Sequence, residues 1–255
     1  MFNFGFSIGF GYRLDVIQSP AIAKPCSLFV IYCDRENSTK FGRMKNIIIA
    51  LFCIASATVF GQVTKVEFDG NKWDAPYSLD FPKGWDVERF LIPIEFAPSI
   101  PYKGVEDIRF TAGWSNAKSE EYWTYAFLWY LDSKPEITAE IIADNLKAYY
   151  TGLVGRNIAP RKIPADKIFP VRTEIKKIKT DAGDLKTFQG TIYMLDYMEQ
   201  KPITLNCIVH LKSCPEKNNG FVFTEISPKL YSDKVWQSLN RLWTNFNCNK
   251  TTERK

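Results

Sequence analysis

The segment EYWTYAFLWYL, residues 121–131, has apolar or aromatic side chains at nearly every position. Because successive side chains of a β-strand point to opposite faces of the sheet, this segment would form a strand with two largely apolar faces. One face would carry Trp123, Tyr125, Phe127, Trp129 and Leu131, and the other Tyr122, Thr124, Ala126, Leu128 and Tyr130. A strand that is apolar on both faces is typical of the centre of a sheet covered on both sides.

An amphipathic helix is predicted directly after this strand, over residues 138–155. Thr138 is a good N-cap residue, and Glu140 would lie in the first turn, where negative charge is favourable. The following apolar residues have the spacing of one helix face: Ile142, Leu146, Tyr149, Tyr150 and Leu153. Gly155 followed by Arg156 predicts the end of the helix.

The remainder of the chain predicts a meander of strands and a closing helix. Strand candidates cover residues 172–180, 185–197, 203–212 and 221–226, with turn-forming segments between them. The inward face of the third candidate would carry Ile203, Leu205, Cys207, Val209 and Leu211. A second helix opens at Ser232-Asp233, and its buried side would carry Val235, Trp236, Leu239, Leu242, Trp243 and Phe246. Two such helices covering an antiparallel sheet predict an α+β fold, arranged as an α/β/α sandwich.

The part before the central strand predicts an extended segment at residues 62–104 and the start of the α+β core domain at residue 105. Five prolines divide residues 62–104 into short pieces, with strand candidates at 63–68 and 90–96. Another strand candidate covers residues 105–110. The core domain would then run over residues 105–250, and residues 62–250 are of a length typical of one domain.

Residues 44–61, MKNIIIALFCIASATVFG, have the features of a secretory signal peptide. Lys45 supplies the positive charge, Ile47–Phe60 the apolar run, and Ala55, Ala57 or Gly61 a small residue for cleavage. The run is too short to span a membrane, so we expect no transmembrane segment in the mature chain. Residues 1–43 would then be an upstream extension outside the mature protein. The alternatives are a buried core helix at 44–61 and a genuine pair of strands within residues 1–43.

The charge balance of the exported chain excludes nucleic acid as a partner. Removing the six basic and three acidic residues of positions 1–61 from the chain's 33 and 28 leaves 27 and 25, a net charge of +2. These charges are spread evenly, so the sequence contains no basic patch for a phosphate backbone.

The order of elements, together with Phe81-Pro82-Lys83-Gly84-Trp85, resembles the PsbP-like family of α/β/α sandwiches. The chain also resembles exported proteins of the Bacteroidetes type, whose leaders often end near a Gly-Gln pair such as Gly61-Gln62. PsbP-like folds mostly act as binding or assembly modules without enzymatic activity. The resemblance therefore implies a binding protein, and it transfers no functional residue to this chain.

No motif in the sequence predicts a catalytic, metal or cofactor site. His210 is the single histidine, on the set of alternate positions that includes Thr204, Asn206 and Lys212, and we interpret it as a surface or inter-layer residue. The cysteines lack the paired spacing of a zinc site, and no nucleotide-binding glycine motif is present. Glu106-Asp107 and Glu120-Glu121 flank a turn at Gly113 and could form the carboxylate pair of a glycosidase, although a solvated rim is the simpler interpretation.

The same turn is the predicted ligand-binding surface. Trp114 on a polar loop could stack on a sugar or on an apolar side chain of a partner, while polar neighbours form hydrogen bonds. The predicted ligand-binding residues are Asp107, Arg109, Trp114, Asn116, Glu120 and Glu121. The alternative is that Trp114 folds back as a lid on the sheet.

The mature chain has three cysteines, so a disulfide in an oxidising compartment would leave one thiol free. Cys207 shares an inward face with Leu205 and Val209, which predicts a buried thiol. Cys214 and Cys248 lie at the ends of elements, and we predict a Cys214–Cys248 disulfide. A Cys207–Cys248 bridge and the absence of any bridge are the alternatives.

These observations predict an exported, periplasmic or extracellular module without catalytic activity. Its partner would be a small ligand, a glycan or another protein of the cell envelope. The alternatives are a secreted hydrolase acting on carbohydrate through paired carboxylates, and a structural envelope component with an exposed apolar patch.

Overall fold

The computed structural model describes residues Phe68–Lys250, so the predicted extension at 1–43 and signal peptide at 44–61 lie outside the described residues. The strands are β1 (Asp86–Ile92), β2 (Gly104–Phe110), β3 (Tyr125–Leu131), β4 (Arg172–Lys177), β5 (Lys186–Asp196), β6 (Lys201–Ser213) and β7 (Gly220–Ser227). The helices are α1 (Ala139–Ile158) and α2 (Val235–Thr244), and a single 3₁₀ turn covers Ala165–Lys167.

The seven strands form one sheet in the order β1-β2-β3-β7-β6-β5-β4, with every neighbouring pair antiparallel. Two meanders, β1–β3 and β4–β7, meet where β3 pairs with β7. Helix α1 lies in the connection between the two meanders, from β3 to β4 at the far edge. The α+β prediction is confirmed, with the two helices as the only ones longer than a single turn among residues 68–250.

The two helices cover opposite faces of the sheet, because the side chains of β3 alternate between two separate cores. Phe127 and Trp129 pack in one core with the α1 residues Leu146 and Tyr149. The other core contains Ala126, Leu128, Phe221, Phe223 and the α2 residues Trp236, Leu239 and Trp243. Both faces of β3 are buried, as its sequence predicts.

Helix α1 begins where the sequence predicts and ends later. The Thr138 hydroxyl accepts a hydrogen bond from the Ile141 N–H at 3.3 Å, so Thr138 is the N-cap. The helix continues through Gly155 to Ile158. A glycine inside a helix costs about 1 kcal/mol, and the packing of Val154 and Ile158 against the core outweighs that cost.

The sheet begins earlier in the chain than the predicted core domain. Strand β1 covers residues Asp86–Ile92, instead of the predicted 90–96, and pairs with β2 along its whole length. It ends before Pro93, which has no N–H to donate to a neighbouring strand. Residue Trp123, predicted on the central strand, lies before it in a left-handed conformation with φ of 54°. Its side chain is nevertheless buried in the α1-side core.

The C-terminal part of the described chain is attached to the sheet by the predicted disulfide. Cys214, after β6, and Cys248, after α2, are bonded with their Cα atoms 5.8 Å apart. Cys207 is a fully buried free thiol, as predicted. None of the helices within residues 68–250 has the length and apolarity needed to cross a bilayer.

Candidate functional site

The structure places the six predicted ligand-binding residues in two different environments. On the loop after β2, Trp114 is half-buried and packs on Phe110 with ring centroids 4.4 Å apart. Glu121 accepts the Gly113 N–H at 2.9 Å, and Glu120 forms an exposed ion pair with Lys229. Asn116 is exposed, and its side chain accepts the Lys118 N–H at 3.0 Å. Ligand binding by this loop stays a prediction.

Asp107 and Arg109, the other two predicted residues, lie in a buried ion-pair network under the α2 side of the sheet. The Asp107 carboxylate interacts with the guanidinium groups of Arg109 and Arg89 and accepts the Tyr77 hydroxyl at 3.0 Å. Arg109 also donates to the Asp80 carbonyl at 3.1 Å. Because their hydrogen-bonding groups are used inside the protein, Asp107 and Arg109 stabilise the fold at β1 and β2, away from the Trp114 ring on the other core.

Glu106, a member of the suggested carboxylate pair, lies on the opposite face of β2 from Asp107. Its side chain is fully buried in the α1-side core, where its Oε1 accepts the Trp129 indole N–H at 3.3 Å. Burial raises the pKa of Glu106 to about 8, and the neighbouring Tyr149 and Trp129, which favour the charged form, offset only part of this effect. Glu106 is therefore a neutral acid at neutral pH.

A second buried group of titratable side chains surrounds His210, on the face of the sheet that α2 covers. The register of β6 places His210 opposite Thr187 of β5 and opposite Phe223 of β7. The imidazole is fully buried, with its ring centroid 5.6 Å from that of Trp243 of α2. His210 is thus an inter-layer residue, one of the two interpretations that its sequence position allowed. We call the group formed by Asp181, Asp184, His210 and Glu225 the His210 cluster.

Asp184 is held on the Nδ1 side of His210 by three hydrogen bonds. Its Oδ2 lies 2.7 Å from His210 Nδ1 and accepts the Thr187 hydroxyl at 2.7 Å, while its Oδ1 accepts the Trp243 indole N–H at 2.7 Å. Burial would raise the pKa of Asp184, but the hydrogen bonds from His210, Thr187 and Trp243 outweigh it and lower the pKa. Asp184 is therefore an ionised carboxylate that connects α2 to the sheet.

The turn before β5 brings a second aspartate to the same nitrogen. The Asp184 N–H donates to the Asp181 carbonyl at 3.1 Å, and Gly183 supplies the left-handed conformation that this turn requires, with φ of 83°. Asp181 Oδ2 lies 3.7 Å from His210 Nδ1, and its side chain is 53% exposed. Asp181 thus connects the cluster with solvent.

Glu225 of β7 lies on the other side of the imidazole. Its Oε1 is 3.5 Å from His210 Nε2, a distance typical of an ionic contact and too long for a normal hydrogen bond. Both carboxylate oxygens of Glu225 and the His210 Nε2 atom are buried without a hydrogen-bond partner among the described residues. Burial raises the pKa of Glu225, and the charge of His210 opposes this effect.

The carboxylates keep the imidazole protonated. Burial alone would lower the pKa of His210, but Asp184 and Glu225 outweigh this effect and raise it to about 9. The nearby Lys212 ammonium lies 4.2 Å from the Trp243 ring centroid as a cation–π pair. Burial lowers the pKa of Lys212, and the charge of Asp184 opposes this effect.

Three residues of the His210 cluster have the donor atoms of a metal site. One ligand atom each from Asp181, Asp184 and His210 can be chosen so that all three lie within 4.8 Å of one another. For a metal site, the sequence suggested only cysteines as possible partners of His210, and these two aspartates were missed. The signal that could have found them is the register of the β5–β6 hairpin, which pairs Thr187 with His210 and so brings the Asp181–Asp184 turn to the imidazole.

Two surface depressions lie away from this buried cluster. The α1 groove, of about 390 Å³, is lined by Phe96, Ala97, Pro98, Ser99, Asp144, Lys147, Ala148, Thr151 and Gly152. The β4–β5 pocket, of about 340 Å³, is lined by Glu174, Ile175, Lys176, Gln189, Gly190, Thr191 and Tyr231. Each of them has a single carboxylate in its lining, Asp144 in the first and Glu174 in the second.

Comparison of the sequence with protein-family models and with curated proteins finds no match.

Proposed function

We propose that this domain is an exported, non-catalytic binding module of the cell envelope, and that it binds a glycan in the β4–β5 pocket. The observation that carries the proposal is the composition of this pocket, which combines a carboxylate, an amine, an amide and a hydroxyl with one aromatic side chain. Sugars are recognised by polar groups of this kind together with an aromatic ring.

The pocket exists because α2 covers only part of its sheet face. Helix α2 packs over β7, while β4 and β5 at the other end of the sheet contact α1 on the opposite face. The side chains of Glu174 and Lys176 on β4 are exposed, and those of Gln189 and Thr191 on β5 are half-buried. A row of polar side chains on an uncovered sheet face can form hydrogen bonds with a ligand.

Tyr231 forms a rigid wall of this pocket. Its hydroxyl donates to the carbonyls of Gly190 and Cys207, at 2.9 and 3.2 Å, and its ring packs on Trp236 with centroids 4.9 Å apart. A side chain fixed in this way loses little conformational entropy when a ligand binds. Gly190 is needed in the floor, because a Cβ atom there would lie 1.9 Å from the Glu174 carbonyl of β4.

A binding role fits this surface better than hydrolysis. Glycoside hydrolysis uses two carboxyl groups on either side of the bond that is cleaved, whereas each of the two depressions has one. The carboxyl groups of Glu106 and Glu225 have raised pKa values, but both side chains are fully buried, and neither lines the α1 groove or the β4–β5 pocket.

The proposal also includes export of the protein and assignment of its fold to the PsbP-like family. The Cys214–Cys248 bond supports export, because structural disulfides persist mainly in oxidising compartments. Helices on both faces of an antiparallel sheet support assignment to the PsbP-like α/β/α sandwiches, and the resemblance to that family supports a binding role.

The test is a glycan-array screen of the purified protein, followed by titration calorimetry with the best ligand. Glu174→Ala and Gln189→Ala should each weaken binding at least tenfold, because each removes hydrogen bonds to the sugar. Glu136→Ala is the matched control, since Glu136 is an exposed acid outside the pocket, and it should leave the affinity unchanged. The proposal fails if no glycan binds, if the pocket variants bind as tightly as the wild type, or if the bound glycan is cleaved.

A further inference from the structure

The His210 cluster has the arrangement of a metal site, and its surplus of carboxyl groups around one imidazole is the first reason. Asp181, Asp184 and Glu225 face a single imidazole from two sides. The nearest lysine, Lys212, directs its ammonium group to the Trp243 ring, and no ion pair joins it to these carboxylates in the described structure. A divalent cation would neutralise the charge of these carboxylates.

The distances around His210 Nδ1 are the second reason. Asp184 Oδ2 and Asp181 Oδ2 lie 2.7 and 3.7 Å from this nitrogen. Two ligand atoms that each lie about 2.0–2.1 Å from a tetrahedral zinc ion are about 3.3 Å from each other. This separation falls between the 2.7 and 3.7 Å measured from His210 Nδ1. Small movements of the Asp181–Asp184 turn would therefore bring both oxygens to this separation from Nδ1, and ligand atoms of all three residues already lie within 4.8 Å of one another. The exposed side of Asp181 leaves the fourth position open to water.

Glu225 provides an independent observation. A histidine that binds a metal through one nitrogen usually donates its other N–H to a carboxylate, which fixes the ring orientation. Glu225 is fully buried, its oxygens have no hydrogen-bond partner, and Oε1 lies 3.5 Å from Nε2. When a metal is bound to Nδ1, the orienting carboxylate lies beside Nε2, and Glu225 is in that position.

We propose that Asp181, Asp184 and His210 bind a divalent transition-metal ion, with Zn²⁺ as the best match, and that Glu225 orients the imidazole. The mixed oxygen and nitrogen ligands favour Zn²⁺ over Ca²⁺ or Mg²⁺, which prefer oxygen alone. The metal would replace the proton on Nδ1, and Nε2 would keep its hydrogen for Glu225. Bound in this position, the ion would join the turn before β5 to β6, next to the contact of Asp184 with α2. This proposal is independent of glycan binding in the β4–β5 pocket.

The test uses the fact that His210 is the single histidine of the 255-residue chain. In the ¹⁵N-labelled protein without a histidine tag, the imidazole gives one pair of nitrogen signals. Addition of ZnCl₂ should shift the Nδ1 signal to the range of a metal-bound nitrogen and leave Nε2 protonated. Zinc bound only to cysteines elsewhere in the chain would leave both signals unchanged, and that outcome would overturn the proposal.

Three variants complete the test by calorimetric titration with ZnCl₂. Asp181→Asn removes a ligand at an exposed position without disturbing the core, and it should weaken zinc binding at least tenfold. Glu225→Gln should weaken it by about 10–100-fold, the usual effect of losing a carboxylate behind a histidine ligand. The control is Asp166→Asn, an exposed aspartate on the 3₁₀ turn, which should bind zinc as the wild type does. Equal affinities for Asp181→Asn and Asp166→Asn would refute the site.

Discussion

Glu106→Gln should make the stability of the protein depend less on pH, so that the variant gains stability relative to the wild type as the pH rises. Glu106 is fully buried beside Trp129, and burial raises its pKa from 4.5 to about 8. Glutamine has the same shape, can accept the Trp129 N–H through its Oε1, and never ionises. The variant therefore removes the titration of this group, and the cost of placing the amide nitrogen at the Oε2 position, which has no hydrogen-bond partner among the described residues, is the same at every pH.

The sign and size of the effect follow from linkage. The folded protein keeps a proton on Glu106 that the unfolded chain loses above pH 4.5, so stability decreases as the pH rises from 4.5 to about 8. At 1.36 kcal/mol per pKa unit, the full shift corresponds to about 5 kcal/mol. Of this, about 3.5 kcal/mol falls between pH 5 and pH 8, and the free energy of unfolding of Glu106→Gln should rise relative to that of the wild type over this range.

The measurement is urea unfolding of both proteins at pH 5, 6, 7 and 8. His210, with its pKa raised to about 9, also makes stability decrease above pH 6.5, but it does so equally in both proteins and cancels in the difference. Glu136→Gln changes an exposed glutamate and is the control, which should follow the wild type at every pH. Parallel pH profiles for the wild type and Glu106→Gln would refute a neutral, buried Glu106.

Three further predictions concern the disulfide, the loop tryptophan and the buried thiol. The Cys214–Cys248 bond joins residues that are 34 positions apart, and its reduction should lower the free energy of unfolding by about 3–4 kcal/mol. The measurement is urea unfolding with and without reductant, and an unchanged midpoint would contradict the prediction. Trp114→Ala should cost about 2 kcal/mol, less than for a fully buried tryptophan, because the half-buried ring packs on Phe110; a loss below about 0.5 kcal/mol would show that this contact does not matter. Cys207, whose pKa burial raises to about 12, should resist alkylation at pH 8 in the folded protein and react in urea, as followed by mass spectrometry; rapid labelling of the folded protein would show that the thiol is accessible.

The sequence by itself determines most of the local structure of this domain. The alternation of residues 121–131 predicts a strand buried on both faces, and β3 is buried on both faces because side-chain direction in a strand depends only on position. Thr138 predicts the start of α1 for a similarly local reason, since its hydroxyl reaches an N–H three residues ahead. The disulfide was also predictable, because only three cysteines follow residue 61 and two of them lie at element ends.

Only the tertiary structure decides the order of the strands and the composition of the His210 cluster. The predicted strands at 185–197 and 203–212 leave a turn of five residues, whereas the observed connection between Asp196 and Lys201 has four. A slip of one residue in that hairpin would move His210 to the other face of the sheet. Asp184, on the turn before β5, is 26 residues from His210 in the sequence. Glu225, on the neighbouring strand β7, is 15 residues from it. Such contacts depend on strand register and on the helix that covers the sheet, and these arise from packing across the whole domain, which local periodicity does not encode.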